Sequence, residues 1–278
     1  MKSRIDYLDG LRGVAILLVL AFHAYSRWPN LVPYGDTYAN FPIFKLGWLG
    51  VQLFFLISGF VIFMTLDKTT NIGSFIFKRW LRLFPAMLLV SVLIFFTAPI
   101  LDARPAGPPN ALSLLPGLTF IEPTWWNKLL HIEIKPLEGA FWSLYVEFKF
   151  YIFASLIYYF LGRIYLAPLL FLLFVSSIVI SWLSGKSDSS IIFIFNKISF
   201  LFSLKYFGWF ASGSMFYLFH HSKKKVWFWS ALGVAITSSI FVDNFNIYSS
   251  IAALIISILF SMALVFVPIQ RFLKNKIP

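Results

Sequence analysis

Residues 47–66 read GWLGVQLFFLISGFVIFMTL, twenty positions without one charged side chain. A helix of that length rises about 30 Å, the thickness of a bilayer's hydrocarbon core. Its apolar residues form no stripe, because Leu53, Phe54, Phe55, Leu56 and Ile57 point in every direction around the axis, so no face is suited to water. Lipid and other helices must surround it.

Comparable runs recur along the chain. They predict an all-α, polytopic transmembrane helical bundle with spans near 11–27, 47–66, 82–101, 141–161, 164–184, 200–219, 226–242 and 247–267, eight in all. A further apolar stretch, Ala111 to Ile121, is short and interrupted by Pro116 and Gly117. It reads as a re-entrant or interfacial segment, not a crossing. Of the 278 residues, 59% are hydrophobic and 12% charged, about half the charge a soluble globule carries. The spans leave no room for a separate soluble domain, so residues 1–278 read as one integral membrane domain.

Charge sets the orientation. Lys+Arg number 23 against 11 Asp+Glu, a balance that could serve nucleic acid, but the bases lie in short connections between spans, where cytoplasmic loops collect them. With 111–121 not crossing, Lys2, Arg4, Arg12, Lys68, Lys78, Arg79, Arg82, Arg163, Lys223, Lys224, Lys225, Arg271, Lys274 and Lys276 all fall inside. The opposite side then holds Asp36, Asp102, Glu122, Glu133, Glu138, Asp188 and Asp243. Both termini of the multi-pass chain are therefore expected in the cytoplasm, with lipids as partners and no nucleic acid. Arg12, abutting the first apolar run, makes that run an uncleaved helix instead of a signal peptide. Trp28, Trp48, Trp80, Trp142, Trp182 and Trp227 lie near span ends and read as interfacial anchors. Cysteine is absent, which excludes thiolate catalysis and Cys-based metal sites. His220 and His221 have no third ligand nearby in sequence and read as part of a basic loop.

Ionisable residues within spans are functional candidates, because hydrocarbon penalises them. Asp9-Gly10-Leu11-Arg12 opens the first helix and His23 follows eleven residues after Arg12, about 16 Å along the axis on nearly the same face. Histidine near neutrality can take a proton, or simply bond a neighbouring helix. Arg79 and Arg82 share a helix face at the inner mouth of the third span, before Phe84-Pro85. Two guanidinium forks suit phosphate oxygens, although topology alone also places bases there. Ser143, Glu147 and Tyr151, four apart, line one face of the fourth span beside Trp142, with Lys149 on the opposite side. Glu147 could orient His23 or bond a sugar hydroxyl, or with Lys149 tie helices together. Gly50, Ser58 and Gly59 read as small residues for close packing, and Gln52 as able to bond across helices.

In this order, these motifs resemble acyltransferase family 3, the O-antigen acetylase-like integral membrane acyltransferases. The resemblance rests on Leu8-Asp9-Gly10-Leu11-Arg12-Gly13 through Phe22-His23, on Gly50-Val51-Gln52-Leu53-Phe54-Phe55-Leu56-Ile57-Ser58-Gly59-Phe60, on Arg79/Arg82 with Phe84-Pro85, and on Trp142-Ser143-Leu144 with Glu147 and Tyr151. It implies no bound cofactor, an acyl-CoA co-substrate, usually acetyl-CoA, and a hydroxyl acceptor on an envelope carbohydrate such as lipopolysaccharide, another polysaccharide or a lipid-linked glycan. His23 would be the catalytic base with Glu147 in support, and Arg12, Arg79 and Arg82 would bind the donor. Asp9, Ser58, Trp142, Ser143 and Tyr151 would contact the acceptor or support the site. Two departures stand out: the family usually has about ten spans, so C-terminal helices are expected to be lacking here, and Phe148 follows Glu147 where a polar residue is usual. A proton-coupled transporter or flippase using His23 and Glu147 as relays is the alternative, and an inactive scaffold is a third.

Overall fold

The computed structural model describes residues 5–32, 34–101, 104–186, 189–243 and 245–274. Lys2, Arg4, Asp102, Asp188 and Lys276, whose charges entered the orientation argument, lie outside the described residues, as does the side chain of Lys274. The helices are α1 Asp6–Tyr25, α2 Gly35–Tyr38, α3 Pro42–Lys45, α4 Gly50–Leu66, α5 Ile72–Thr97, α6 Leu114–Thr119, α7 Pro123–Leu130, α8 Trp142–Leu156, α9 Leu166–Ser184, α10 Ser190–Leu201, α11 Phe207–Ser222, α12 Lys225–Ile240, α13 Ile247–Val265 and α14 Val267–Lys274. No strand occurs among the described residues, as expected of a chain that must satisfy its backbone within lipid. The protein is an all-α, multi-pass membrane bundle.

Six of the eight expected spans are helices long and apolar enough to cross alone. The other two correct the expectation. The span placed at 200–219 is two helices, Ser190–Leu201 and Leu204–Ser222, bent by 61°, and counting the pair as one crossing gives seven. The break falls at Ser203, whose φ of 59° lies in the left-handed region and ends the helical run. The span placed at 226–242 is α12, with 16 residues, about 24 Å long and short of a full hydrocarbon core. The third span starts at Ile72, ten residues before the expected 82, because the Asn71 side chain accepts from Ser74 N at 2.8 Å and caps it. Arg79 and Arg82 therefore lie inside α5, toward its N-terminal end. The segment 111–121 forms one 3₁₀ turn and the six-residue α6, too short to cross. Its buried Gly117 rests against Ser91 and Met87 of α5 and Phe141.

α4 runs through the centre, in contact with α1, α8, α11 and α13. It approaches α11 so closely that a Cβ on Gly59 would collide with the Phe210 carbonyl, and one on Gly213 with the Leu56 carbonyl. Backbone cannot yield as a side chain end can. Gly213→Ala is therefore expected to destabilise the bundle by about 3 kcal/mol, the upper end of overpacking penalties, read as a lowered thermal midpoint in detergent. Gly233→Ala is the control, since a Cβ there meets nothing within 4 Å.

α14 folds back under α1, its Leu273 carbonyl against Gly10, so both ends of the described chain lie at one face of the bundle, here the termini face. Asp67 ties that face together. Its carboxylate accepts from Tyr158 at 2.7 Å, Tyr217 at 2.8 Å and both Nε and Nη2 of Arg163 at 2.9 Å. Tyr158 reaches it from a π turn, Ile157–Leu161, ended by Gly162 at φ 110°, a value that favours glycine.

Candidate active site

Near the termini face, α1, α4, α5 and α8 bring together residues drawn from all four sequence motifs. Arg79 is 8% exposed, donates from Nη2 to Thr65 Oγ1 and lies over the rings of Phe75 and Tyr151 at 5.7 and 6.0 Å. Its electrostatic neighbours are Tyr151, Arg82, Glu147 and Arg12. Glu147 Oε1 accepts from Ser58 Oγ at 2.6 Å and Tyr151 OH at 2.5 Å. Arg12 pairs with Asp9 at 2.6 Å, and Arg82 is exposed. Arg12 and Arg82 thus lie within electrostatic reach of the buried Arg79, with Glu147 beside it. Such a site attracts anionic oxygens more strongly than the same charges in water would.

At the opposite face, the ends of α1, α4, α8 and α13 enclose a cavity of about 830 Å³. His23 lines it, with Trp28, Trp48, Trp142 and Tyr248 as aromatic walls and Arg27, Lys45, Asn40, Asp243 and Asn246 as polar ones. His23 is half-buried. Its Nδ1 is 2.8 Å from the Val19 carbonyl oxygen, which can only accept, so Nδ1 carries the proton in that bond. In the neutral ring Nε2 then holds the lone pair. It makes no hydrogen bond to a protein group among the described residues. Trp28 packs against the imidazole at 5.7 Å between ring centroids, and Asp243 is held by Ser249 Oγ at 2.7 Å.

The structure therefore separates two residues that the sequence reading joined. Glu147 bonds Ser58 and Tyr151 and does not orient His23, whose ring is held by its own helix. Ser143, Glu147 and Tyr151 all lie on α8 at four-residue spacing; the Ser143 hydroxyl donates back to the Ala140 carbonyl at 3.5 Å, while Glu147 and Tyr151 bond each other. Ser58 also bonds Glu147, and Gln52, 1% exposed, has no partner for its Oε1 among the described residues in place of the expected cross-helix bond. Trp28, Trp48 and Trp142 are cavity walls, not only interfacial anchors. Lys149 pairs at 2.7 Å with Glu122 and donates to Ser203 Oγ at 3.0 Å, so it does tie elements together, through a partner 27 residues away. No group of three or more His, Cys, Asp or Glu that could hold a metal occurs among the described residues.

The family model described as an acyltransferase domain, that of acyltransferase family 3, matches residues 5–277. Among curated relatives, peptidoglycan O-acetyltransferase OatA of Listeria monocytogenes is 25% identical over 168 residues, covering 54% of this chain and 24% of the relative. A provisionally named O-acetyltransferase of Staphylococcus aureus strain COL is 28% identical over 162 residues, with 54% and 24% covered. YrhL of Bacillus subtilis strain 168, provisionally named a peptidoglycan O-acetyltransferase, is 28% identical over 160 residues, with 52% and 22% covered. The matches thus span about a quarter of these relatives' own length. No solved structure matches.

Proposed function

The chain belongs to acyltransferase family 3, and on that premise we propose that it is a membrane O-acetyltransferase moving an acetyl group from cytosolic acetyl-CoA to a hydroxyl of a cell-envelope carbohydrate. The observation that carries this reading is His23, whose Nδ1 is committed to the Val19 carbonyl and whose Nε2 is left basic in a cavity walled by tryptophan and polar side chains. Aromatic faces with scattered hydrogen-bonding groups suit a sugar ring, which has apolar C–H faces and a hydroxyl edge.

In this reading the termini face is cytoplasmic in the plasma membrane, and Arg12, Arg79 and Arg82 hold the phosphates of the donor. Arg12 and His23 are about 16 Å apart along α1, a distance an extended pantetheine arm can bridge. Nε2 takes the proton of the acceptor hydroxyl as its oxygen attacks the thioester carbonyl. The C–S bond then breaks, the acetyl remains on the sugar oxygen, and the imidazolium returns its proton to the CoA sulfur. Arg27 and Lys45 bring positive charge to the cavity in which the oxyanion develops. Glu147, in this reading, neutralises and orients the arginine cluster by way of Ser58 and Tyr151.

The test is transfer of labelled acetyl from acetyl-CoA to glycan in membranes with and without the chain. Label above the background of empty membranes is expected. Substrate movement without acetyl-CoA consumption would instead favour a transporter.

A further inference from the structure

A second cavity, of about 240 Å³, lies against the first and shares the Trp142 wall with it. Its other walls come from Glu122, Val146 of α8, α9, α10 and the bend between α10 and α11. Although these elements lie within a membrane bundle, polar side chains, namely Glu122, Asn196, Lys205 and four serines, are set among the apolar surface of its walls. Ser177, Ser199 and Ser203 are 4%, 7% and 9% exposed, and each turns toward this space with a different hydrogen-bonding capacity. Ser177 donates to the Phe174 carbonyl, which leaves its oxygen free to accept. Ser203 accepts from Lys149. The Ser199 hydroxyl has no partner among the described residues. Asn196 spends one amide hydrogen on Ser184 at 2.9 Å and keeps its carbonyl oxygen.

The ligand chemistry follows from that lining. An acyl chain would leave the Ser199 hydroxyl and the Asn196 carbonyl oxygen unsatisfied, a net loss in hydrocarbon. A phosphate would find Lys205 alone, since Lys149 is neutralised by Glu122. A mixture of donors and acceptors beside the aromatic rings of Trp142 and Tyr206 matches a neutral molecule with several hydroxyls. The geometry points to a glycan subsite: this chamber takes the sugar unit next to the one presented to His23, so that the acceptor is an oligosaccharide and not a single sugar. The inference rests on reading the His23 cavity as the acceptor site.

The test is binding without donor, measured by calorimetry on the full chain in nanodiscs, with N-acetylglucosamine and its β-linked di- and tetrasaccharide as probes. The tetrasaccharide is expected to bind at least about tenfold more tightly than the monosaccharide. The advantage should vanish in Ser199→Phe, which fills the chamber, and shrink several-fold in the milder Ser177→Ala/Ser199→Ala pair, with elution volume and thermal midpoint checking that each variant folds. Equal affinity for all three sugars in the wild type, including no binding of any, would overturn the subsite, as would an advantage that survives in both folded variants. Acetyl transfer assayed in parallel reads the other question. Length-dependent binding with no transfer sinks the enzymatic reading and leaves the subsite standing.

Discussion

His23→Ala is expected to lower acetyl transfer by about 10²–10⁴-fold, the contribution of a positioned general base, while leaving the protein folded. The second half of that expectation is structural. The imidazole's hydrogen bond runs to the carbonyl four residues earlier in its own helix, which accepts a backbone N–H in any case, so its removal orphans no group on a neighbour. The ring packing against Trp28 is lost, a small effect beside a cavity. His23→Asn sharpens the experiment. Its amide N–H can keep the bond to Val19 but supplies no basic nitrogen, so it should be as inactive as alanine. Activity of His23→Asn within a few-fold of wild type would show that His23 serves only as a helix-surface polar group, and would remove the general base from the mechanism.

The spans were legible where hydropathy alone decides, as in 47–66 and 164–184, because lipid tolerates no other composition over that length. The breaks were not. Ser203 interrupts an apolar stretch without a glycine or proline to mark it, and its left-handed backbone sits where its hydroxyl meets Lys149, 54 residues away in sequence. The early start of α5 had a readable sign, Asn71 followed three residues later by Ser74, which hydropathy outweighed. The Glu147–Tyr151 bond follows from four-residue spacing. Ser58, 89 residues from Glu147, has no periodicity that could join the two. Asp67 carries no such sign either, since its partners Tyr158, Arg163 and Tyr217 come from distant segments. The tryptophans illustrate a further limit: a residue at a span end faces either lipid headgroups or an enclosed cavity, and only the packing of α1, α4 and α8 decides which.

Arg79→Lys separates donor binding from charge alone. Arg79 is almost buried, lies over two aromatic rings and donates to Thr65, whereas Arg82, three residues on, is exposed. Lysine keeps the positive charge that Arg79 sets near Glu147, which alanine would remove. What lysine removes is the planar fork and its ring stacking. If the fork holds a phosphate of the donor, one charge-assisted contact of about 1.5–3 kcal/mol goes with it. That corresponds to a rise of about 10- to 100-fold in the KM for acetyl-CoA, with kcat much less affected because the reacting atoms lie at the other end of α1. Arg82→Lys should shift KM by only a few-fold, since an exposed guanidinium contributes less to an anion. Initial rates against acetyl-CoA concentration, with thermal midpoints alongside, decide the matter. An unchanged KM with a lowered midpoint in Arg79→Lys would make the arginine a structural strut between α4, α5 and α8, and the donor phosphates would then have to be sought at Arg12 and Arg82.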